Sequence, residues 1–391
     1  MKKENFKAVE NDFTVFRELL EHPLLRAFLD RNWSVFAEKL YTEFHTDDWT
    51  ACLTELVLSA ENACTYFAVR GQKIPDWIEK AARHDLQILS EMAQFRLEYM
   101  DFHHFGWNTE PVNLETLYFE RLRHIGKYGF GVWAKFGMFR MEVSDKSGNG
   151  YVLNPVASPD AVQITDLIGY ERQRKQVIDN TKALLQGLQA SNILLYGDAG
   201  TGKSATVKAV ANAYAEDGLR LIELSKNELH LLPKLLEELN SNPLKFILFI
   251  DDLSFQENDD DFSALKAVLE GSISARANNT VIYATSNRRH IVRETFSQRD
   301  GDEVHRNDTV QETISLSERF GIQILFDKPN KSLYLEIILS LAEQYGLKTE
   351  EKELTLRAEQ FALRKSGRSA RTARQFIEQM CCTEHQKINK E

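Results

Sequence analysis

The spacing of apolar residues divides the chain into a helical first part and an alternating second part. Up to about residue 130, apolar positions recur at intervals of three and four residues, as at Leu53, Leu56, Val57 and Ala60. This spacing is typical of amphipathic helices. From about residue 160, short apolar runs alternate with helical stretches, which predicts a parallel sheet covered by helices on both faces.

Five apolar runs of the second part are predicted strands. Their ranges are 192–196, 219–224, 245–250, 280–285 and 321–326. The run 245–250 is apolar without alternation, as expected for a central parallel strand buried on both faces. Upstream, the runs 136–143 and 151–153 flank Ser-Gly-Asn-Gly and predict a β-hairpin, because Asn-Gly favours a tight turn. The polar residues 293–313 predict a mobile insertion, and helical spacing returns after Pro329.

A glycine-rich loop follows the first of these strands. It reads Gly197-Asp198-Ala199-Gly200-Thr201-Gly202-Lys203-Ser204 and fits Gly-x-x-x-x-Gly-Lys-Ser. A strand before such a loop and a helix after it let backbone N–H groups and the positive helix end surround a phosphate. In this arrangement Lys203 reaches the outer phosphates and the Ser204 hydroxyl holds Mg²⁺. The loop therefore predicts a site for ATP with Mg²⁺.

Two carboxylates end the buried strand at 245–250. Asp251 and Asp252 come directly after its last apolar residue. Ligands bind at the carboxyl ends of parallel strands, so these side chains should meet phosphates held by the loop. We expect Asp251 to bind Mg²⁺, directly or through water, and Asp252 to polarise the attacking water. The alternative for both residues is a polar turn or a helix cap after the strand.

Composition and charge narrow the possible partners. Of the 391 residues, 43% are hydrophobic and 27% are charged, the range of ordinary proteins with a buried core. The net charge is −10, and neither the first 150 residues nor the rest is basic, which disfavours general binding to nucleic acid. Four cysteines without Cys-x-x-Cys spacing predict reduced thiols rather than structural zinc. Since no signal-like or membrane-spanning apolar stretch occurs, we expect a cytoplasmic protein without a membrane partner.

Residues from about 160 to 390 resemble the AAA+ ATPases, a P-loop class of ring-forming proteins. In the segment Asp-Leu-Ile-Gly-Tyr-Glu at 166–171, Leu167 and Ile168 match apolar positions that pack on adenine in that family. Asn287 ends Ala-Thr-Ser-Asn and matches the sensor-1 residue of that family. The sensor-1 residue typically lies between the two acidic strands and helps to orient the attacking water. A helix cap is the structural alternative for Asn287.

Two arginine-containing segments extend the resemblance. Arg319, in Leu-Ser-Glu-Arg-Phe-Gly, matches the arginine finger, which acts in trans on the nucleotide of a neighbouring subunit. Arg371, in Ser-Gly-Arg-Ser-Ala-Arg, matches sensor 2 of the helical lid, with Arg368 as the second candidate. The resemblance thus implies a homo-oligomer, whereas a surface ion pair is the alternative for Arg319.

Three segments resemble one bacterial AAA+ family more narrowly, a family catalogued as an ATP-binding domain of unknown function. They are Leu-Ile-Gly-Tyr-Glu at 167–171, Asp-Asp-Leu-Ser-Phe at 251–255 and Ser-Asn-Arg-Arg-His at 286–290. Most active AAA+ proteins have glutamate where Asp252 stands, and aspartate is one methylene shorter. Efficient hydrolysis is therefore left open, with Glu257 as a nearby candidate to assist.

The fold class implied by the resemblance is α/β, a P-loop NTPase of AAA+ type with a parallel sheet between helical layers. We predict a mostly helical N-terminal accessory domain with the hairpin near its end at 1–155. A nucleotide-binding core follows at 156–328, and a helical lid at 329–391.

The function that this resemblance favours is an oligomeric ATPase. It would couple ATP binding and hydrolysis to a conformational change on a macromolecule that the N-terminal domain contacts. One alternative is a nucleotide-gated adaptor with little hydrolysis, which the departure at Asp252 motivates. The other is a helicase-loader-like, DNA-associated ATPase, although no nucleic-acid recognition motif is present. It rests on two basic clusters, which consist of Arg288, Arg289, His290 and Arg293, and of Arg364, Lys365, Arg368, Arg371 and Arg374.

Overall fold

The chain divides into two compact units. The structure, a computed structural model, describes residues 6–95, 111–253, 260–270, 278–287, 318–365 and 367–388. Unit 1 comprises Met1–Phe136 with Ser241–Leu244, and unit 2 comprises Gly137–Asn240 with Lys245–Glu391. In the described ranges, no helix is both long and apolar enough to cross a membrane.

Unit 1 is helical in its described part, as the apolar spacing predicts. Short 3₁₀ helices at Phe6–Asp12 and Arg17–Glu21 precede the α-helices. These are α1 Pro23–Leu29, α2 Trp33–Glu43, α3 Trp49–Ser59, α4 Ala63–Val69, α5 Asp76–Ala93, α6 Leu114–Arg123, α7 Ile125–Tyr128 and α8 Val132–Lys135. Side-chain oxygens of Asp48, Asn62 and Asn113 accept N–H groups of the first turns of α3, α4 and α6, which explains where these helices begin.

A buried carboxylate fixes the first segment of unit 1 to α5. Asp85 is fully buried, and its Oδ2 accepts the backbone N–H groups of Thr14, Val15 and Phe16 at 3.0, 2.8 and 3.0 Å. Its other oxygen faces the Nδ1 atom of His84 at 3.6 Å. Because three backbone donors share this one buried acceptor, Asp85 stabilises the packing of this segment against α5.

Unit 2 is built on a seven-stranded sheet in the order β2-β1-β4-β5-β6-β3-β7. Its strands are β1 Met138–Val143, β2 Tyr151–Pro155, β3 Ile193–Gly197, β4 Leu219–Leu224, β5 Lys245–Ile250, β6 Thr280–Ser286 and β7 Ile322–Phe326. The five predicted strands are β3 to β7, and all of their pairings are parallel. The central position of β6, between β5 and β3, decides which strand ends meet.

The helices of unit 2 cover the sheet and continue beyond it. They are α9 Glu171–Leu185, α10 Lys203–Ala213, α11 Leu232–Asn240, α12 Asp260–Leu269, α13 Lys331–Gln344, α14 Glu351–Arg364 and α15 Ala370–Ile388. Val177 of α9 and Val207 of α10 pack in one cluster with Leu195 and Phe249 of the sheet. The last three helices form a separate core around Tyr334, Ile338 and other residues. The predicted class, an α/β core with a helical N-terminal part and a helical lid, is confirmed.

The β-hairpin belongs to the sheet and not to the helical unit. β1 and β2 pair antiparallel as predicted, but β1 also pairs parallel with β4, with Met138 opposite Leu221. The division between the units therefore falls at Gly137, whereas the apolar pattern had assigned the hairpin to residues 1–155. Local spacing reveals a hairpin but not the distant strand that it joins. The limits 156–328 and 329–391 stay predictions.

Several sequence predictions fall outside the described residues. They concern the mobile insertion at 293–313 and the basic cluster of Arg288, Arg289, His290 and Arg293. The candidate helper Glu257 lies there too, as do Ser254 and Phe255 of the narrower resemblance.

Removing the Asp85 carboxylate should destabilise unit 1. We expect Asp85→Ala to lower the free energy of unfolding of this unit by about 3 kcal/mol, because three backbone N–H groups lose their charged, buried acceptor. Urea denaturation followed by tryptophan fluorescence measures this, since Trp33, Trp49 and Trp77 lie in unit 1. Asp76→Ala is the matched control, because Asp76 lies on the same helix with its side chain 77% exposed. Equal effects of the two variants would contradict the role of Asp85.

Candidate functional site

The glycine-rich loop connects β3 to α10 in the predicted order, strand, loop and helix. Gly197, Gly200 and Gly202 have φ angles of 126°, 75° and 93°, in the range that disfavours residues with a side chain. A Cβ atom on Gly197 would lie 2.3 Å from the backbone oxygen of Phe326 in β7. Glycine is thus required where β3 leaves the sheet and the loop begins.

Lys203 is the first residue of α10 and is almost completely buried. Its Nζ atom donates to the backbone oxygens of Gly197 and Asp198 at 3.1 and 2.7 Å, and to Oδ1 of Asn287 at 3.1 Å. Burial lowers the pKa of Lys203 from its ordinary value, although the carboxylates of Asp198, Asp252 and Asp251 act in the opposite direction. The ammonium group is therefore held at the loop with all three protons directed at oxygen atoms.

Asp251 ends β5 and accepts two hydroxyl groups on one oxygen. Its Oδ1 atom accepts the Ser204 hydroxyl at 2.6 Å and the Thr285 hydroxyl at 2.5 Å. Ser204 belongs to the first turn of α10 and Thr285 to β6. The carboxylate of the acidic strand thus lies directly beside the phosphate loop, as the order of the strands requires.

Asn287 connects Lys203 to Asp252. Its Nδ2 atom donates to Oδ1 of Asp252 at 2.8 Å, while its Oδ1 atom accepts from Lys203. A cation on one side and a carboxylate on the other allow only this orientation of the amide. Asp252 has a φ angle of 53°, so the chain turns sharply after β5 and brings its side chain toward the end of β6.

A cavity of about 520 Å³ lies between the loop, the strand ends and the last helices of unit 2. Gly200 to Ser204, Asp251, Asp252 and Asn287 line its polar side. Leu167, Ile168, Ile337 and Leu341 line an apolar side together with Val162 and Ala370. Arg371 and Arg374 of α15 also line the cavity, and the backbone N–H of Arg371 donates to the oxygen of Gly200 at 3.1 Å.

The sequence of this region matches a known family. Residues 137–384 match the family described as "Protein of unknown function (DUF815)". The chain belongs to this family. The match extends from β1 into α15 and includes every residue that lines the cavity. The narrower resemblance noted above, to a family of unknown function, is thereby confirmed.

Comparisons with solved structures and with curated proteins are less informative than the family match. Two variants of RuvB from Thermotoga maritima match with TM-scores of 0.38 and 0.39 and a sequence identity of 16%. Each match covers 56% of this chain and 64% of the RuvB chain. A search of curated proteins found no match. Similarity this low carries no information about partners or substrates.

Some predicted site residues of this DUF815 chain lie outside the cavity lining. Gly197, Asp198 and Ala199 precede the part of the loop that faces the cavity, and the Asp198 carboxylate accepts the backbone N–H of Lys328. Arg319 forms an ion pair with Glu270, which follows α12. Arg368, the second sensor candidate, donates to both oxygens of Glu359 at 2.9 and 2.8 Å within the lid.

Other residues at the site had no individual role predicted from the sequence, and Arg374 was named only within a basic cluster. Arg374 lies one helical turn after Arg371, and this spacing of three residues was a signal that both face the cavity. Tyr170 lines the cavity with its hydroxyl donating to the backbone oxygen of Asp327 at 2.6 Å, and burial raises its pKa to about 12. Thr285 had no sequence signal, because a buried threonine is common in strands.

The donor set of the cavity fits Mg²⁺ with a bound phosphate. The Ser204 hydroxyl donates its proton to Asp251, which leaves its lone pairs for a cation, and no hydrogen bond from the described residues reaches Oδ2 of Asp251. Hydroxyl and carboxylate oxygens are the ligands that Mg²⁺ prefers. A Cβ atom on Gly202 would meet no heavy atom within 4 Å, so the loop leaves open space before α10. Among the described residues, no group of three or more His, Cys, Asp or Glu forms another metal site.

Proposed function

We propose that the chain is an Mg-ATP-binding ATPase of AAA+ type that hydrolyses ATP in the cavity of unit 2. One observation carries the proposal: the hydrogen bonds that join Lys203, Asn287 and Asp252, beside the pair of Ser204 and Asp251. These five side chains come from the ends of two neighbouring strands, β5 and β6, and from one helix, α10. Their charges and donors suit a triphosphate with its metal ion.

The loop and Lys203 would bind the phosphates. The N-terminus of α10 supplies the positive end of a helix, and the left-handed glycines leave backbone N–H groups of the loop available for an anion. Phosphate oxygens would replace one of the backbone oxygens that Lys203 now contacts. Because burial disfavours the charged ammonium, an anion beside it gains more attraction than it would in water.

Ser204 and Asp251 would hold Mg²⁺, and when bound the ion would neutralise charge on the phosphates. Asp252 would polarise the attacking water, and Asn287 would hold the Asp252 carboxylate and the Lys203 ammonium in fixed relation. These roles require no movement of β5 or β6, since the two strands are joined along their length. In these roles the side chains would promote hydrolysis by positioning the attacking water and by stabilising negative charge on the phosphates.

The apolar side of the cavity would bind the base, with Leu167 and Ile168 on one side of it. Ile168 also packs against the core of the lid, and the Leu333 side chain of α13 packs against Gly169. Arg371 joins the lid to the loop through its backbone bond to Gly200. We propose that the nucleotide biases the lid position through these contacts, and that this movement acts on a macromolecular partner.

Arg319 would complete the site of a neighbouring subunit in a homo-oligomer. In its own chain it lies outside the cavity lining and pairs with Glu270. An arginine that does not line the cavity of its own chain, and that an ion pair holds in place, suits a role at the nucleotide of a neighbouring subunit.

A nucleotide-gated adaptor is the second candidate function. The observation that favours it is the hydrogen bond of 2.8 Å by which Asn287 occupies one oxygen of the Asp252 carboxylate. A carboxylate held in this way, one methylene shorter than glutamate, would bind water less readily. The adaptor would then bind ATP and change shape with little turnover.

Loss of the Lys203 ammonium should abolish nucleotide binding. We expect Lys203→Ala to weaken Mg-ATP at least a hundredfold, because a buried charge-assisted contact to phosphate is removed. Isothermal titration calorimetry measures it, with Lys175→Ala as the control, since Lys175 is exposed and forms only a surface ion pair with Asp179. In the same series Arg371→Ala should weaken binding and Arg368→Ala should not. Identical responses of the parent protein and Lys203→Ala would refute the proposed function.

The substitution Asp252→Asn separates the ATPase from the adaptor. If Asp252 polarises water, the variant should lose at least about a hundredfold in kcat, the usual contribution of a positioned acid or base, while Mg-ATP affinity changes little. Phosphate release measures turnover, with Asp179→Asn as the control for loss of a surface carboxylate. If the parent protein turns over no faster than the variant, the adaptor is favoured.

Assembly should depend on nucleotide, and Arg319 should matter only in the assembled protein. We expect the mass in analytical ultracentrifugation to rise with Mg-ATP, and Arg319→Ala to lower kcat about a thousandfold with ATP affinity unchanged. Glu270→Ala breaks the same ion pair but keeps the arginine, so it should retain turnover. A persistent monomer, or equal losses in the two variants, would exclude action in trans.

A further inference from the structure

Thr285 lies at the point where the two halves of the site join. It is the next-to-last residue of β6, opposite Leu195 of β3, and is 2% exposed. Because β6 runs between β3 and β5, Thr285 is next to both the phosphate loop and the acidic turn. No role for it follows from the sequence motifs.

Thr285 makes one hydrogen bond to each of three consecutive residues after β5. Its hydroxyl donates to Oδ1 of Asp251 at 2.5 Å and accepts the backbone N–H of Asp252 at 2.9 Å. Its backbone oxygen accepts the N–H of Leu253 at 2.7 Å. One residue of β6 therefore holds the side chain of Asp251 and the backbone of the turn that follows it.

The turn needs this support because of its conformation. Asp252 has a φ angle of 53°, and the left-handed region is unfavourable for a residue with a side chain. The bond from its backbone N–H to Thr285 holds it there. The same turn brings the Asp252 carboxylate to Asn287, which lies two residues after Thr285.

The hydroxyl of Thr285 also selects one oxygen of Asp251. The Thr285 and Ser204 hydroxyls both donate to Oδ1, and among the described residues nothing donates to Oδ2. The Thr285 hydroxyl has used its only proton on Asp251 and one lone pair on Asp252. It therefore suits a residue that orients a metal ligand better than it suits a ligand.

We propose that Thr285 is a positioning residue that sets the orientation of the Asp251 carboxylate and the turn at Asp252, and thereby the affinity of the site for Mg²⁺. This inference rests on the proposed function, because it assigns the Mg²⁺ ligand to Asp251. It goes beyond that proposal in naming a residue outside the loop, the acidic pair and the sensor position.

The decisive comparison is nucleotide binding with and without metal. In Thr285→Val, which keeps the shape but removes the hydroxyl, we expect the affinity for ADP with Mg²⁺ to fall about tenfold, as for loss of one hydrogen bond to a charged group. The affinity for ADP in EDTA should stay within twofold. The Mg²⁺ concentration that gives half-maximal ATP turnover should rise by a similar factor. Thr285→Ser should restore both values, because it keeps the hydroxyl.

A buried threonine elsewhere in unit 2 provides the control. Thr181 of α9 is fully buried, and its hydroxyl bonds to the backbone oxygen of Val177 and to the Tyr283 hydroxyl, both at 2.8 Å. Thr181→Val removes an equally buried hydroxyl away from the cavity. It should leave the ratio of ADP affinities with and without Mg²⁺ unchanged, whatever it does to stability.

The outcomes separate this inference from the function on which it rests. If the parent binds Mg-ADP but Thr285→Val binds it equally well, Thr285 has no positioning role and the proposed function stands. If the parent binds no nucleotide, both are overturned. If Thr285→Val does not fold, Thr285→Ser and Thr285→Ala give the same test, since both are smaller than threonine and only serine keeps the hydroxyl. Equal ratios in that pair would overturn the inference.

Discussion

The candidate site depends on the position of β6 between β5 and β3. The pairings of β6 with β5 and with β3 bring Thr285 and Asn287 between the acidic turn and the phosphate loop. Because parallel strands end at one edge of the sheet, the donors of β6 reach a carboxylate on one side and a lysine on the other. The chain of hydrogen bonds from Lys203 through Asn287 to Asp252 is the direct result. Because Asn287 follows the strand that lies between β5 and β3, its one amide reaches the charged group on each side.

Most of the core could be predicted from local pattern, and the sheet edge could not. The apolar runs found β3 to β7 nearly to the residue, because buried parallel strands lack alternation. The hairpin was also found, but its pairing with β4 joins Met138 to Leu221, more than 80 residues further along the chain. Turn chemistry specifies the two strands of a hairpin and gives no information about a third. The two compact units therefore divide at Gly137, so the hairpin groups with the sheet, whereas the predicted N-terminal domain extends to residue 155.

The site residues divide in the same way. The loop and the aspartates carry motifs, because glycine at a positive φ angle and carboxylates after an apolar run leave a trace in the sequence. Thr285 leaves none, since its function would come from two bonds that exist only when β6 is beside β5. Arg368, the second sensor candidate, and Arg374, named only within a basic cluster, show the same limit of local pattern. Both lie three residues from Arg371, but Arg374 is on the same helix face, whereas Arg368 precedes α15 and pairs with Glu359.

Asp252 combines a short side chain with an unusual backbone conformation. Its carboxylate reaches Asn287 only because the backbone turns into the left-handed region directly after β5. Strand β6 holds this backbone turn in place, because Thr285 accepts hydrogen bonds from the backbone N–H groups of Asp252 and Leu253. Neighbouring residues thus hold the aspartate at this position in a defined place, its backbone through Thr285 and its carboxylate through Asn287.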